Sequence, residues 1–373
     1  MIVAQALFVQ KPGYHGSLSS GNIVALFTTG SEIYMNERAA LIQRLLAIIS
    51  DYRAHDRLTP DVEHVEKWLS QFPEDSALNV LKELVGVLEK SYFSKSKVIA
   101  EFANLVENPH FVGNDPVQYW KTASLLDIQK GGNSQHDLNE LISSKISEKF
   151  GVVPAVNSVG APAYYYMDDM LCSGSRVFSD ISSWIRDSAP TKCTLWVCIM
   201  VLHEYGYFIT NKKLLEVIGQ SGKQIKLDWG CSVKPEDRKY YNNVSDVLRP
   251  TTGSDDGLVK AYIEGMKFEP VYRVLGSTGK LQYFSSEAGR HLLEQQFLIK
   301  GAYIRSICPN LKTAHRPLGF SSLDTLGFGT MVVTYRNCPN NAPLALWVGD
   351  PWYPLFPRST NADAALRRMF DDF

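Results

Sequence analysis

Residues 164–175 read Tyr164-Tyr165-Tyr166-Met167-Asp168-Asp169-Met170-Leu171-Cys172-Ser173-Gly174-Ser175. An apolar run ends in two carboxylates and is followed by a turn of small residues. The next stretch, Arg176 to Ile185, has a pattern that allows a helix. A strand, a turn and a helix in this order form the repeating unit of parallel sheets, so the stretch predicts an α/β domain.

Other apolar runs extend this prediction in both directions. Leu125 to Ile128 precedes a Gly-Asn-Ser loop and a helical stretch. Leu195 to Leu202 is far shorter than the roughly 20 residues of a membrane-spanning helix and predicts a buried strand. Short strands that alternate with helices from about residue 116 are typical of a mostly parallel sheet. The polar composition between Gly219 and Ser286 predicts an insertion or lid around a site.

The first third of the chain has helical patterns. Thr59 and Pro60 predict a helix start, and a second helix is expected after Pro73. Such a helix pair also occurs in DNA-binding winged helices, but residues 1–115 carry ten Lys and Arg against fourteen Asp and Glu, the wrong sign for a surface that contacts phosphates. We therefore expect a mainly helical domain over 1–115 and an α/β domain over 116–373, without direct DNA reading.

Composition excludes several classes of protein. The 373 residues are 45% hydrophobic and 21% charged, which favours a soluble globular chain with a substantial core. A formal net charge of -1 gives no overall attraction to nucleic acid or to anionic membranes. The opening MIVAQALFVQ lacks the basic leader and cleavage site of a secretory signal, so we expect a cytoplasmic protein.

Motifs of the common hydrolases and metal sites are missing from the sequence. The six cysteines show no spacing typical of zinc ligands, so we expect reduced thiols and no structural metal. HExxH, a P-loop and an ordered Ser-His-Asp set are also missing. These observations disfavour zincin, ATPase and serine hydrolase activities.

The turn at 172–175 has the features of a phosphate site. Backbone N–H groups and the hydroxyls of Ser173 and Ser175 would meet an anion at the start of the following helix. Asp168 and Asp169 would repel a phosphate, but they suit the hydroxyls of a ribose ring or an indirect contact with Mg²⁺. The combination fits ribose 5-phosphate, and a solvated acidic turn is the alternative.

This stretch resembles the phosphoribosyl-diphosphate binding loop of type I phosphoribosyltransferases. The resemblance implies that Asp168 and Asp169 are the catalytic residues and that Cys172, Ser173, Gly174 and Ser175 hold the 5-phosphate, with Mg²⁺ as an accompanying cation. Cys172 departs from the family pattern, which usually has a hydroxyl residue there, and the departure removes a good phosphate donor.

Two further segments are candidates for binding the rest of such a substrate. The loop Lys130-Gly131-Gly132-Asn133-Ser134 follows an early strand, where phosphoribosyltransferases hold pyrophosphate, although such a turn is more often only a turn. Near the C-terminus, Asn340 and Asn341 with Trp347 resemble a hood that binds a nucleobase. A packed C-terminal closure is an equally good interpretation of that segment.

A wider resemblance extends from about residue 55 to 358. Val65 to Phe72, Leu126 to Gln129, Gly132 to Gln135 and the ending from Pro-Asn-Asn to Pro-Leu-Phe-Pro-Arg are similar to phosphoribosyltransferase-like effectors of bacterial conflict systems, of which retron anti-phage systems are the best-known setting. The resemblance implies a helical, winged-helix-like N-terminus joined to a type I phosphoribosyltransferase-like domain with lid or hood insertions.

The same resemblance implies partners and activity. Its members are expected to act with a retron reverse transcriptase and its RNA-DNA hybrid product, which hold the toxin effector inactive until phage infection. We expect an enzyme that substitutes or hydrolyses a ribosyl phosphate, either phosphoribosyl diphosphate or a nucleotide, at the anomeric carbon. A non-catalytic nucleotide sensor or scaffold is the main alternative, a salvage enzyme is a third, and a homo-oligomer is compatible with each.

Overall fold

A computed structural model describes residues 30–54, 59–130, 134–237 and 244–358. The chain forms two compact units, residues 1–37 and 38–373, and of the first only the beginning of a helix is described. In this described part, every helix is too short or too polar to span a membrane.

The helices and strands alternate through most of the chain. The helices are α1 Gly30–Ile48, α2 Val62–Leu69, α3 Glu74–Ser91, α4 Lys95–Glu107, α5 Pro109–Val112, α6 Pro116–Thr122, α7 Ser134–Phe150, α8 Ser175–Asp187, α9 Glu204–Ser221, α10 Gly257–Glu264, α11 Glu287–Ile307 and α12 Leu344–Trp347. The strands are β1 Tyr92–Phe93, β2 Ser124–Leu126, β3 Ala155–Val156, β4 Ala163–Leu171, β5 Lys192–Leu202, β6 Gln224–Val233, β7 His315–Arg316, β8 Gly319–Phe320 and β9 Val333–Thr334.

A five-stranded sheet lies at the centre of the fold. Its order is β3-β2-β4-β5-β6, and every neighbouring pair is parallel. The β-branched and aromatic residues of β4 and β5 are buried over most of their length, which is expected of central strands covered on both faces. The predicted α/β fold with a mostly parallel sheet is confirmed.

Helices cover the two faces of the sheet. Alternate residues of β4 contribute to two separate apolar clusters, because successive side chains of a strand point to opposite faces. Tyr164 and Tyr166 pack with α8 and α9, and Tyr165 and Met167 pack on the side of α4 and α7. The carboxyl end of β4 therefore lies between two layers of helices, at the edge of the sheet where α/β proteins bind ligands.

The helical region before β2 is built as predicted, with one correction. The expected helix start at Thr59 and Pro60 is wrong by two residues, since Asp61 accepts a hydrogen bond from the His64 N–H (2.8 Å) and caps a helix that begins at Val62. The second helix, α3, follows Pro73 as expected.

This region shares its core with the C-terminal part of the chain. The indole of Trp68 donates to the Ala345 carbonyl (2.8 Å), and β1 pairs in parallel with β9. Helix α3 packs against α11. The boundary near residue 115 and the winged-helix-like character of the helical region stay predictions.

The polar stretch between Gly219 and Ser286 contains more regular structure than its composition suggests. It provides β6, the last strand of the sheet, and α10. Arg290 is buried and donates to the carbonyls of Ser245 and Val247, and it also pairs with Glu294 of the same helix. These satisfied bonds fix the stretch to α11.

Candidate functional site

A cavity of about 270 Å³ opens at the carboxyl end of β4. Its walls come from the end of β4, the start of α8, and the C-terminal segment. The lining residues are Asp168, Asp169, Met170, Leu171, Cys172, Ser173, Gly174, Ser175, Arg176, Val177, Phe320, Asn337, Pro339, Asn340, Asn341 and Arg358. The cavity thus brings together the two predicted aspartates, the predicted phosphate turn and both predicted asparagines.

The turn between β4 and α8 is shaped by close packing against α9. Gly174 has a φ of 72°, and a Cβ there would lie 1.7 Å from Oγ1 of Thr210. Gly206 of α9 approaches the turn from the other side, because a Cβ there would lie 1.8 Å from the Cys172 carbonyl oxygen. Both positions therefore require glycine, and the turn is held in one position relative to α9.

The N-terminus of α8 lines this cavity with backbone donors, of which the Ser175 N–H is directed to Ser173 Oγ at 3.5 Å. Among the backbone bonds of this turn, the first helical one runs from Phe178 N–H to the Gly174 carbonyl (2.9 Å), which leaves the preceding N–H groups without an intrahelical acceptor. No described side chain caps the helix at Gly174. Ser173 Oγ lies 3.3 Å from Ser175 Oγ, and both side chains are exposed. The helix dipole and these donors favour an anion.

Asp168 is the more buried of the two aspartates. It is 2% exposed, and its Oδ1 accepts the Asp169 backbone N–H at 2.9 Å. The hydroxyl of Ser134, at the start of α7, lies 3.5 Å from the same oxygen. Burial first, and the charge of Asp169 second, raise the pKa of Asp168 well above its ordinary value.

Asp169 contacts the opposite wall of the site. Its Oδ2 lies 3.5 Å from the hydroxyl of Thr334 in β9. The side chain is only partly buried, so water or a ligand reaches it more readily than Asp168. The two carboxylates therefore differ in environment, although they are neighbours in one strand.

Two arginines that were not predicted from the sequence as site residues line the cavity. Arg176 is the second residue of α8 and is exposed. Arg358 reaches the cavity from the C-terminal segment, and its guanidinium carbon lies 4.8 Å from the ring centre of Trp347. Burial lowers the pKa of Arg358. Arg358 ends the Pro-Leu-Phe-Pro-Arg segment, which was noted in the sequence without a role.

The residues proposed to bind a base are divided by the structure. Asn340 and Asn341 line the cavity, and the amide of Asn341 donates to the Phe320 carbonyl at 2.9 Å. Trp347 is 6% exposed and its indole donates to the Ala342 carbonyl at 2.9 Å. Trp347 is not a lining residue of this cavity; it lies in α12, and its ring is beside Arg358, which does line the cavity.

The predicted pyrophosphate loop is described only at its ends. Gly131, Gly132 and Asn133 lie outside the described residues. Lys130 is exposed and does not line the cavity, whereas the Ser134 hydroxyl donates to Gln129 Oε1 at 3.0 Å and lies 3.5 Å from Asp168 Oδ1. Gln135 organises the segment before the loop, because its Oε1 accepts the N–H groups of Ile128 and Gln129 (2.7 and 2.9 Å).

A second cavity of about 260 Å³ lies on the α9 side of the turn. It shares Cys172, Ser173, Ser175, Phe320 and Asn341 with the first cavity. Its other lining residues are Tyr205, Gly206, Ile209, Lys213, Asp237, Ser321, Ser322, Leu323, Gly327 and Phe328. Aromatic rings on several sides make this cavity more suited to a planar group than the first.

A buried polar group lies behind the second cavity. The hydroxyl of Thr330 accepts the Val332 N–H (3.3 Å) and lies 3.2 Å from Nε2 of His203. Burial lowers the pKa of His203 to about 3, which favours the neutral form of the ring. Nδ1 lies 3.8 Å from Asp237 Oδ2, beyond hydrogen-bond distance, while Oδ1 accepts the Tyr205 N–H at 2.6 Å.

The described residues contain no group of three or more His, Cys, Asp or Glu that would enclose a metal ion. Mg²⁺ does not require such a group, because it is commonly bound by one or two carboxylates together with water and substrate phosphates. Asp168 and Asp169 supply two carboxylates beside the cavity. The residues present therefore fit a cation that arrives with a phosphorylated substrate.

Comparison with known proteins agrees with the fold. Residues 65–358 match the model of the family described as PRTase-CE. No curated protein matches the chain. The matched range includes the whole sheet, the turn at 172–175 and Arg358. The chain therefore belongs to the PRTase-CE family, and residues 65–358 form a phosphoribosyltransferase-like domain.

Proposed function

We propose that the protein binds a ribosyl phosphate and catalyses substitution or hydrolysis at its anomeric carbon. One observation carries the proposal: two carboxylates and an uncapped helix N-terminus line the same cavity. Carboxylates accept hydrogen bonds from sugar hydroxyls, and the helix N-terminus favours an anion. A sugar that carries a phosphate on its 5-position satisfies both ends of the cavity at once.

The phosphate binds first to the backbone donors of the turn. The N–H groups at the start of α8 and the hydroxyls of Ser173 and Ser175 surround it, and Arg176 and Arg358 add positive charge from two sides. The close packing of Gly174 and Gly206 keeps these donors in place before the ligand arrives. Preorganised donors lose little conformational entropy on binding.

Asp168 and Asp169 then hold the ribose hydroxyls and stabilise positive charge on the ring. Bond cleavage at the anomeric carbon sends the bonding electrons to the leaving group and leaves an oxocarbenium-like centre, which the acceptor or water attacks. The raised pKa of Asp168 means that its negative charge is costly in the empty site. Positive charge on the sugar offsets this cost, so the aspartate stabilises the transition state more than the ground state.

Segments next to the phosphate turn are proposed to bind the pyrophosphate, the base and the acceptor. In this proposal the Lys130 to Ser134 loop receives pyrophosphate, and Mg²⁺ at Asp168 and Asp169 would neutralise that leaving group. Asn340 and Asn341 read the edge of a base, and the aromatic walls of the second cavity offer room for a planar acceptor.

We further propose that this activity serves a toxin effector in a retron anti-phage system. The resemblance over residues 55–358 supports this role, and the PRTase-CE match covers nearly the same range. A retron reverse transcriptase and its RNA-DNA hybrid product are the proposed partners. Co-purification with both, and toxicity on expression without them, are the outcomes that this role requires.

Product analysis tests the catalytic part of the proposal. The purified chain is incubated with phosphoribosyl diphosphate and Mg²⁺, and with nucleotides, and the phosphorus NMR spectrum is followed over many equivalents of substrate. We expect wild type and Asp187→Asn to convert substrate and the double variant Asp168→Asn, Asp169→Asn to be inactive. Asp187 is a suitable control because it is exposed at the far end of α8.

A non-catalytic nucleotide sensor is the second candidate, and Cys172 favours it. The thiol is 8% exposed, and burial, followed by the negative charge of Asp237, raises its pKa. A neutral buried thiol is a weak donor, so the phosphate loses one contact that a hydroxyl would supply. Binding of one equivalent of ligand without turnover, lost in the double variant, would support the sensor and contradict the enzyme.

A further inference from the structure

Strand β6 forms the edge of the five-stranded sheet. It is ten residues long and pairs only with β5 among the strands of the described residues. It contains no proline, and its pairing with β5 is regular from Gln224 to Cys231. An edge of this length presents a row of free backbone groups to another strand.

The hydrogen bonds to β5 show which backbone groups are free. The Gln224 N–H donates to the Thr191 carbonyl (2.7 Å), so Gln224 directs its backbone groups towards β5. Backbone direction alternates along a strand. Residues 226, 228 and 230 therefore face β5 as well, and the N–H and carbonyl groups of Ile225, Leu227 and Trp229 face outwards.

We propose that β6 pairs with β6 of a second copy of this chain, antiparallel, about a two-fold axis at Leu227. In this register Leu227 of one copy lies opposite Leu227 of the other. Ile225 of each copy lies opposite Trp229 of the other copy. All three positions have outward-facing backbone groups, so these pairs exchange about six N–H···O bonds, two for each hydrogen-bonded pair. The result is one continuous sheet through both copies.

The charged side chains of β6 favour this register over registers whose axis is shifted by one or two residues. With the axis at Leu227, Lys226 of each copy lies opposite Asp228 of the other, at a closely spaced, non-hydrogen-bonded position. An axis at Lys226 or at Asp228 would place like charges opposite each other. An axis at Trp229 would leave Lys226 opposite Ser232, without an opposite charge.

The side chains also match on each face of the sheet. Ile225 belongs to the apolar cluster on the side of α8 and α9, and Leu227 and Trp229 pack against that cluster. On the other face, the side chain of Lys226 is 72% exposed and pairs with Asp228 of its own strand at 2.6 Å. In the dimer each lysine lies between two aspartates, one from each copy. Apolar residues therefore meet apolar residues, and opposite charges meet on the opposite face.

Sedimentation at a series of concentrations tests the pairing in the full chain. We expect the wild-type mass to rise with concentration from monomer to dimer. Leu227→Pro removes the outward N–H while leaving the bonds to β5 intact, and it should abolish the dimer. Leu227→Ala is its matched control, because it also shortens the side chain but keeps the N–H, and it should still dimerise.

Charge reversal provides a second test that does not depend on proline. Lys226→Asp places the new aspartate of each copy opposite Asp228 of the other copy, and we expect the dissociation constant to rise about tenfold or more. The double variant Lys226→Asp, Asp228→Lys restores opposite charges in the swapped order and should recover most of the affinity. Lys192→Asp reverses an exposed lysine of the inner strand β5 and should have little effect.

The outcomes separate this pairing from its alternatives. A mass that stays monomeric up to the solubility limit would overturn the proposal. A dimer that survives both Leu227→Pro and Lys226→Asp would also overturn it, because the copies would then be joined elsewhere. Recovery in the charge-swapped double variant supports this register specifically.

Discussion

At the scale of single residues, the turn at the end of β4 depends on the lack of a side chain at Gly174. The φ of 72° is unfavourable for other residues, and Thr210 occupies the space that a Cβ would need. Gly222 provides a comparison within the same chain, because its φ is 69° and no atom lies within 4 Å of its Cβ position. A comparison of substitutions at Gly174 and Gly222 therefore separates the energetic cost of the positive φ from the cost of steric overlap.

We predict that Gly222→Ala costs about 1 kcal/mol of unfolding free energy and leaves ligand binding unchanged. Gly174→Ala should cost more, since the turn or α9 must also shift, and it should abolish phosphate binding. Urea unfolding and calorimetric titration measure both effects. Equal costs for the two variants would show that the packing against Thr210 is unimportant.

A second prediction at this scale concerns Asp237. Burial raises the pKa of this carboxyl to about 7, above an unfolded value of about 3.9. The folded chain therefore binds this proton more tightly than the unfolded chain does. The contribution of the proton to the free energy of unfolding is present below pH 4 and is lost as pH rises to about 7. Asp237→Asn should be more stable than wild type at pH 8, by up to about 4 kcal/mol.

The pH dependence distinguishes this cause from a general effect of the substitution. The advantage of Asp237→Asn should shrink towards zero as pH falls to about 3, where the wild-type carboxyl is largely protonated in both the folded and the unfolded state. Asp187→Asn, at an exposed position, should show no such trend. An advantage that is the same at pH 4 and pH 8 would contradict a buried, ionised Asp237.

At the scale of elements, the start of α8 combines backbone N–H groups that have no intrahelical acceptor with two arginine side chains. Arg176 belongs to the helix itself, whereas Arg358 comes from the far end of the chain and stacks on Trp347. The helix end alone would bind many anions. The two arginines add charge-assisted contacts, so the affinity should depend strongly on the negative charge of the ligand.

We predict that Arg358→Ala weakens the binding of orthophosphate about tenfold, because a charge-assisted hydrogen bond is lost. Arg186→Ala removes an exposed arginine from the other end of α8 and should change binding little. Titration calorimetry with orthophosphate at constant ionic strength measures both. A loss of similar size in Arg186→Ala would indicate a diffuse charge effect in place of a specific contact.

At the scale of the whole molecule, the local parts of the site could be predicted and the distant parts could not. The strand, turn and helix around Asp168 are encoded in consecutive residues, so the pattern sufficed. Arg358 lines the same cavity and Thr334 contacts Asp169, each from a chain segment more than 160 residues away, and periodicity holds no information about such contacts. Strand β6 was missed because its polar residues hide the alternation of an edge strand.

Long-range packing also determines where Trp347 lies relative to the cavity. Its ring is buried in the C-terminal core and lies beside Arg358, which lines the cavity, and a role of Trp347 in base binding stays a prediction. Phe320, 20 residues before Asn340, is an aromatic residue that does line the cavity, and it lies in the antiparallel pair of β7 and β8.

Calorimetric titration with ribose 5-phosphate and with orthophosphate tests the central claim most directly. For the double variant Asp168→Asn, Asp169→Asn, shown to be folded by its unfolding transition, we predict orthophosphate affinity within a few-fold of wild type and ribose 5-phosphate affinity reduced about tenfold or more. Unchanged affinity for ribose 5-phosphate in that variant would show that the aspartates do not hold the sugar.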